Sequence, residues 1–282
     1  MKCAWQAYMN LVPIRMRQDV DKLGKDTLQE LRLRLNTPPE LITAEGSVWL
    51  EQVVVREDLL FCVNTASRYS PWAARTAAFG YITAPGGHRI GLCGEATVND
   101  GVMTGISTPT SLCLRVARDF AGIAERAAKI KGSILILGKP GSGKTTLLRD
   151  LIRQKSDCGA GCIAVVDERG ELFPTAQEQL CFPTGKRTDI LTGCTKVQGI
   201  ETVLRSMCPS VIAVDEITAQ EDCNALIHAG WCGVQLLATA HASNRADLYA
   251  RPVYKPLIKS KLFDTLLILQ PDKSWRMERI DL

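Results

Sequence analysis

Residues Gly138-Lys139-Pro140-Gly141-Ser142-Gly143-Lys144-Thr145 match GxxxxGK[ST] without a gap. They follow an apolar run at 134–137 and open a helical stretch at 145–153. This placement constrains the chain more than any other feature, because a loop that wraps phosphates needs a buried strand before it and a helix N-terminus after it. The glycines let the backbone turn tightly and aim its N–H groups at phosphate oxygens. Lys144 is placed for the β and γ phosphates, the Thr145 hydroxyl for Mg²⁺, and Thr146 completes the nucleotide-contacting set from Gly138 onward.

The same half of the chain repeats the pattern of a short apolar run followed by a helical segment. Runs at 163–166 and 211–214 are continuously apolar rather than alternating, and the run at 234–238 is broken only by Gln235. This is the signature of strands buried on both faces, as in a parallel sheet covered by helices. A hairpin closes the chain, with strands at 266–269 and 275–280 around Pro271-Asp272-Lys273. The expectation is an α/β fold: a P-loop core over residues 122–282, preceded by a smaller mixed α/β domain over 1–121.

Polar residues gather where these strands end, at the carboxyl edge where ligands bind in α/β folds. The run 211–214 leads into Asp215, a candidate Mg²⁺ ligand, and Glu216, a candidate for orienting or deprotonating an attacking water. The run 163–166 leads into Asp167 and Glu168, which can join that shell. The run 234–238 leads through Thr239 and Ala240 to His241, which can donate to a γ-phosphate. A guanine-reading NKxD motif does not occur; Thr195-Lys196-Val197-Gln198 fails at the acid. The bound nucleotide is therefore expected to be ATP. Arg89, Arg115, Arg118, Arg187 and Arg205 are candidates for an arginine supplied to a neighbouring subunit.

In the first third, residues 28–35 are spaced as a helix with Leu28, Leu31 and Leu35 on one face. Further helices are expected at 57–67 and 71–79. Strands are expected at 79–83, 89–93 and 112–116, with turns at Pro85-Gly86-Gly87 and Asn99-Asp100-Gly101. Eleven cysteines without a CxxC pair, behind a start that lacks an apolar h-region, suit a reducing cytosol rather than a disulfide framework. No run of about 18 apolar residues predicts a membrane-spanning helix. A net charge of +4 and 6% aromatics give no firm nucleic-acid signal.

Four ordered motifs carry a resemblance: the P-loop, VVDERGEL, DILTGCTKVQGIETVLRSMCPSVIAVDEI and LLATAHAS. Together they resemble the stage III sporulation AA family of endospore-forming bacteria, itself similar to the secretion ATPases of type II and type IV systems. The likeness covers residues 122–282 and extends more loosely to LRLRLNTPPEL and GHRIGLCGEA. It implies a RecA-like core working as a homo-oligomeric ring, a hexamer. Asp167 and Glu168 fall in place of those ATPases' Asp box and His241 in place of their His box. Arg205 matches the arginine before their Walker B strand. Asp215 stands where they usually carry glycine, and there is no tetracysteine insert. The implied role is a cytoplasmic motor in the mother cell, partnered by an integral-membrane component of a secretion-like sporulation complex. A nucleic-acid-dependent ATPase and a nucleotide-gated scaffold are the competing readings.

Overall fold

The structure is a computed structural model and is described here for residues 1–67, 80–159, 161–176 and 179–280. Two compact units divide the chain: Met1–Asp119 with Pro174–Phe182, and Phe120–Phe173 with Pro183–Leu282. The sequence predicts one boundary near residue 122, and nothing in Pro174–Phe182 predicts that this segment groups with the first unit.

The first unit holds a six-stranded sheet in the order β3-β2-β1-β6-β5-β4. Its strands are β1 (Glu30–Arg34), β2 (Glu40–Ile42), β3 (Ser47–Trp49), β4 (Tyr81–Thr83), β5 (Arg89–Asn99) and β6 (Val102–Arg115). All pair antiparallel. Helices Trp5–Leu11, Arg17–Thr27 and Arg56–Ser67 contribute Tyr8, Leu11, Val20, Leu59 and Cys62 to one apolar core with the sheet. The helix expected at 57–67 is therefore present, whereas the one expected at 71–79 lies outside the described residues. The helix expected at 28–35 is instead β1. Leu31 and Leu33 are fully buried, while Glu30, Arg32 and Arg34 face away from the core. LRLR alternates with period two, and that alternation outweighs the i, i+3, i+7 spacing of Leu28, Leu31 and Leu35. The Asn99-Asp100-Gly101 turn closes β5 onto β6, with Asp100 and Gly101 both at positive φ (49° and 78°) as a primed hairpin turn requires. The segment 174–182 forms the short antiparallel hairpin β9 (Thr175–Ala176) and β10 (Gln179–Leu180).

The second unit is built on a seven-stranded sheet in the order β11-β8-β12-β13-β7-β14-β15. Its strands are β7 (Ile134–Leu137), β8 (Ile163–Asp167), β11 (Thr188–Thr192), β12 (Val211–Ile217), β13 (Gln235–Ala240), β14 (Thr265–Leu269) and β15 (Trp275–Arg279). All neighbours run parallel except the closing hairpin β14–β15. Ile134 through Leu137 and Ile163 through Asp167 are buried without interruption, as strands covered on both faces must be. The edge strand β11 is not evident from the sequence because TDILT is short and has only two apolar residues, Ile190 and Leu191.

This order determines where the chemistry lies. Parallel neighbours end at the same edge, and β8, β12, β13 and β7 are consecutive. Their ends carry Asp167 and Glu168, then Asp215 and Glu216, then His241, then the P-loop. Adjacent strands lie about 4.8 Å apart, so residues distant in sequence become neighbours.

Candidate functional site

The P-loop leaves β7 at Gly138 and delivers the chain into the helix Lys144–Asp157. Gly143 at its N-cap has φ 102° and Gly141 φ 72°, conformations that residues with a Cβ rarely adopt. Gly138 is required by proximity: a Cβ there would lie 2.4 Å from Ser142 Oγ. Lys139, Pro140 and Gly141 form the exposed rim of the loop.

Lys144 is buried, and its ammonium donates to Gly138 O (3.0 Å), Lys139 O (2.9 Å) and His241 Nδ1 (3.1 Å). Three protons meet three acceptors, none of them a carboxylate. Burial draws this lysine below its ordinary pKa, while Asp215 and Glu216 pull it back up. His241 Nε2 lies 2.8 Å from Glu216 Oε1. The His241 backbone N–H donates to Tyr254 Oη at 3.1 Å, and Tyr254 donates to Ile217 O at 3.2 Å.

A second chain of hydrogen bonds runs in parallel. Thr145 Oγ1 donates to Asp215 Oδ2 and Thr239 Oγ1 donates to Asp215 Oδ1, each at 2.6 Å. The Glu216 backbone N–H donates to Thr239 Oγ1 at 2.8 Å. Burial raises the Asp215 carboxyl pKa, and the two hydroxyl donors partly offset that rise. Glu216 has φ 51°, and the pairing of β12 with β13 shifts register between Val214 and Ile217. Left-handed backbone at a non-glycine residue persists only where the surroundings hold it, and Thr239 supplies that hold.

The Asp167 carboxylate turns to its own loop. It accepts the backbone N–H groups of Glu171 and Phe173, both at 2.9 Å. Burial nevertheless pushes its pKa up to about 6. Glu168 Oε2 pairs with Lys196 Nζ at 2.5 Å. Arg205 is exposed on the helix Lys196–Met207, without a hydrogen bond or ion pair to any described residue. Among the other arginines singled out, Arg115 pairs with Glu30, Arg118 donates to the carbonyls of Lys25 and Leu28, and Arg89 stacks over the Tyr81 ring. Two contributors, Thr239 and Lys196, were missed as site residues. The available signal was a lone hydroxyl in LLATA, since a threonine buried in an apolar strand needs a hydrogen-bond partner.

The donor set fits a nucleotide phosphate with Mg²⁺. Ser142 Oγ is the one buried side-chain polar atom without a hydrogen-bond partner among the described residues, and it lies inside the loop. A phosphate oxygen would supply the missing partner. Thr145 and Asp215 offer hard oxygen ligands of the kind Mg²⁺ takes.

Solved structures share this arrangement of elements. The ATPase DotB of Legionella pneumophila matches with a TM-score of 0.59 at 16% identity, covering 95% of this chain and 80% of that one. The pilus retraction motor PilT, solved with bound ADP, matches at 0.58 and 12%, covering 93% and 80%. At such identities the likeness is one of fold, and it defines the class: a RecA-like P-loop fold shared with the ATPase DotB and the pilus retraction motor PilT. Within that class the chain belongs to the sporulation stage III, protein AA family, whose model matches residues 6–278. Stage III sporulation protein AA of Bacillus subtilis (strain 168) is 36% identical over 256 residues, 87% of this chain and 83% of that protein.

Proposed function

We propose that this chain binds and hydrolyses Mg-ATP as a ring-forming motor that energises a membrane-bound, secretion-like complex during sporulation. The observation that carries the reading is the double connection from the P-loop to Glu216. One arm runs from Lys144 through His241 to the Glu216 carboxylate. The other runs from Thr145 through Asp215 and Thr239 to the Glu216 backbone. A protein that only bound nucleotide would have no need to hold a glutamate by two separate routes against the end of its phosphate loop.

In this reading Lys144 neutralises the β and γ phosphates. Thr145 and Asp215 would hold Mg²⁺, which would supply neutralisation of the phosphate charge. Glu216 takes a proton from water as the water oxygen bonds to the γ-phosphorus and the bond to the β-phosphate oxygen breaks, releasing ADP. His241 orients Glu216 through its Nε2–H while its bare Nδ1 accepts from Lys144; it can donate to the γ-phosphate once Lys144 turns to the phosphates and the imidazole takes a proton on Nδ1. Glu168, held by Lys196, is not the base. Arg205, exposed and unengaged, serves a neighbouring subunit. The partner in this reading is an integral-membrane component, as the family resemblance implies; no described helix of this chain is long and apolar enough to cross a membrane.

The test is Mg-ATP hydrolysis as a function of protein concentration, with light scattering on the same samples. Turnover per subunit that rises as rings form supports the motor. Zero turnover at every concentration, with the membrane partner added, sinks it and leaves a nucleotide-gated scaffold.

A further inference from the structure

Lys196 opens the helix Lys196–Met207 and is only 6% exposed. A buried cation at a helix N-terminus is doubly disfavoured, by desolvation and by the positive end of the helix dipole. The fold nevertheless fixes it there. Thr195 and Gln198 close a capping box at that end, with the Thr195 hydroxyl accepting from the Gln198 N–H. Gly199 brings the helix so close to β8 that a Cβ would lie 2.3 Å from Val166 Cγ1. Lys196 Nζ pairs with Glu168 Oε2 at 2.5 Å and lies 3.8 Å from Asp222 Oδ2. Asp222 in turn accepts the backbone N–H groups of Thr218 and Ala219, just beyond Glu216.

The setting explains why a cation is kept here. Asp167, Glu168, Glu171, Asp215 and Glu216 line one cleft at this sheet edge, with Arg169 and Lys196 as its cations. A nucleoside triphosphate brings several more negative charges to such a place. We propose that Lys196 is a positioning residue for nucleotide binding: it pins and neutralises the Glu168 carboxylate so that the acid-lined cleft accepts a triphosphate. The inference rests on the nucleotide-binding reading and adds to it a residue that acts through Glu168 and Asp222. Because the added charge acts most strongly on the γ-phosphate end, Lys196 matters more for ATP than for ADP.

The experiment is calorimetric titration of the full chain with Mg-ATP and with Mg-ADP. It compares the unaltered protein with Lys196→Met, Lys196→Arg and Lys196→Met combined with Glu168→Gln, with thermal unfolding measured alongside. Lys196→Met should weaken Mg-ATP binding roughly tenfold, and Mg-ADP binding less. Lys196→Arg should keep most of the affinity. Adding Glu168→Gln to Lys196→Met should restore ATP affinity to within about twofold of Glu168→Gln alone. Unchanged ATP affinity in Lys196→Met overturns the inference and leaves the nucleotide-binding reading standing. Equal losses for ATP and ADP that Glu168→Gln does not reverse overturn it in favour of a purely structural lysine. An unaltered protein that binds neither nucleotide overturns the reading and the inference together.

Discussion

Lys144 and Glu216 share one imidazole: His241 Nδ1 lies 3.1 Å from the lysine ammonium and His241 Nε2 lies 2.8 Å from the glutamate oxygen. An ammonium can only donate, so Nδ1 is the bare nitrogen and Nε2 carries the proton toward Glu216. The candidate phosphate-binding cation and the candidate base are thus linked by a group whose orientation each of them helps to set.

Lys144→Ala removes the only buried cation of the P-loop. Hydrogen bonds to charged groups are worth about 1.5–3 kcal/mol, so Mg-ATP affinity should fall at least tenfold. The variant also leaves Gly138 O and Lys139 O without their donor, so thermal unfolding should be recorded on the same samples. Undiminished affinity in a calorimetric titration would contradict the assignment of Lys144.

Glu216→Gln keeps the side chain's size and leaves the backbone bond to Thr239 intact, but removes the proton acceptor. ATP should still bind, while hydrolysis falls on the order of 10²–10⁴-fold, the usual worth of general base catalysis. Turnover equal to that of the unaltered protein would move the role to Glu168.

The fold core was legible because its strands are continuously apolar and its turns carry glycine at the phosphate loop. Asp215, Glu216 and His241 were legible because each lies within three residues of the end of such a run. Less could be read where two periodicities coincide, as in residues 28–35, or where a side chain serves by contact rather than by motif. Nothing local to Thr195-Lys196-Val197-Gln198 says that Lys196 meets Glu168, 28 residues earlier. That meeting is produced by the parallel pairing of β11 with β8, which no short window contains.

Asp167 gives a pH dependence of definite sign. Its folded pKa of about 6 lies above the ordinary 3.8, so between those values the folded state holds a proton that the unfolded state has released. Its contribution is complete below pH 3.8 and is lost as pH rises through about 6. The shift spans roughly two pH units, which bounds the effect at about 3 kcal/mol. Asp167→Asn removes this component. From pH 4 to pH 7 the stability of the variant relative to the unaltered protein should therefore rise, as measured by urea unfolding. Parallel pH profiles for the two proteins would show that Asp167 does not titrate in this range.

Two helical glycines should respond oppositely to alanine. Alanine is intrinsically better than glycine in a helix by about 1 kcal/mol. At Gly199 the new Cβ would lie 2.3 Å from Val166 Cγ1 and 3.1 Å from Cys194 Sγ. Val166 is β-branched and fully enclosed in β8, so it has no rotamer with which to withdraw. Overpacking of this kind costs about 1–3 kcal/mol and exceeds the propensity gain. At Gly230 the nearest atoms, at 2.7 Å, are the terminal methyls of half-buried Leu262, which can rotate away. Gly230→Ala should therefore be neutral or stabilising in urea unfolding, while Gly199→Ala is destabilised and regains stability when combined with Val166→Ala. Equal behaviour of the two single variants would mean that the helix carrying Lys196 is not held against β8 by the close approach at Gly199.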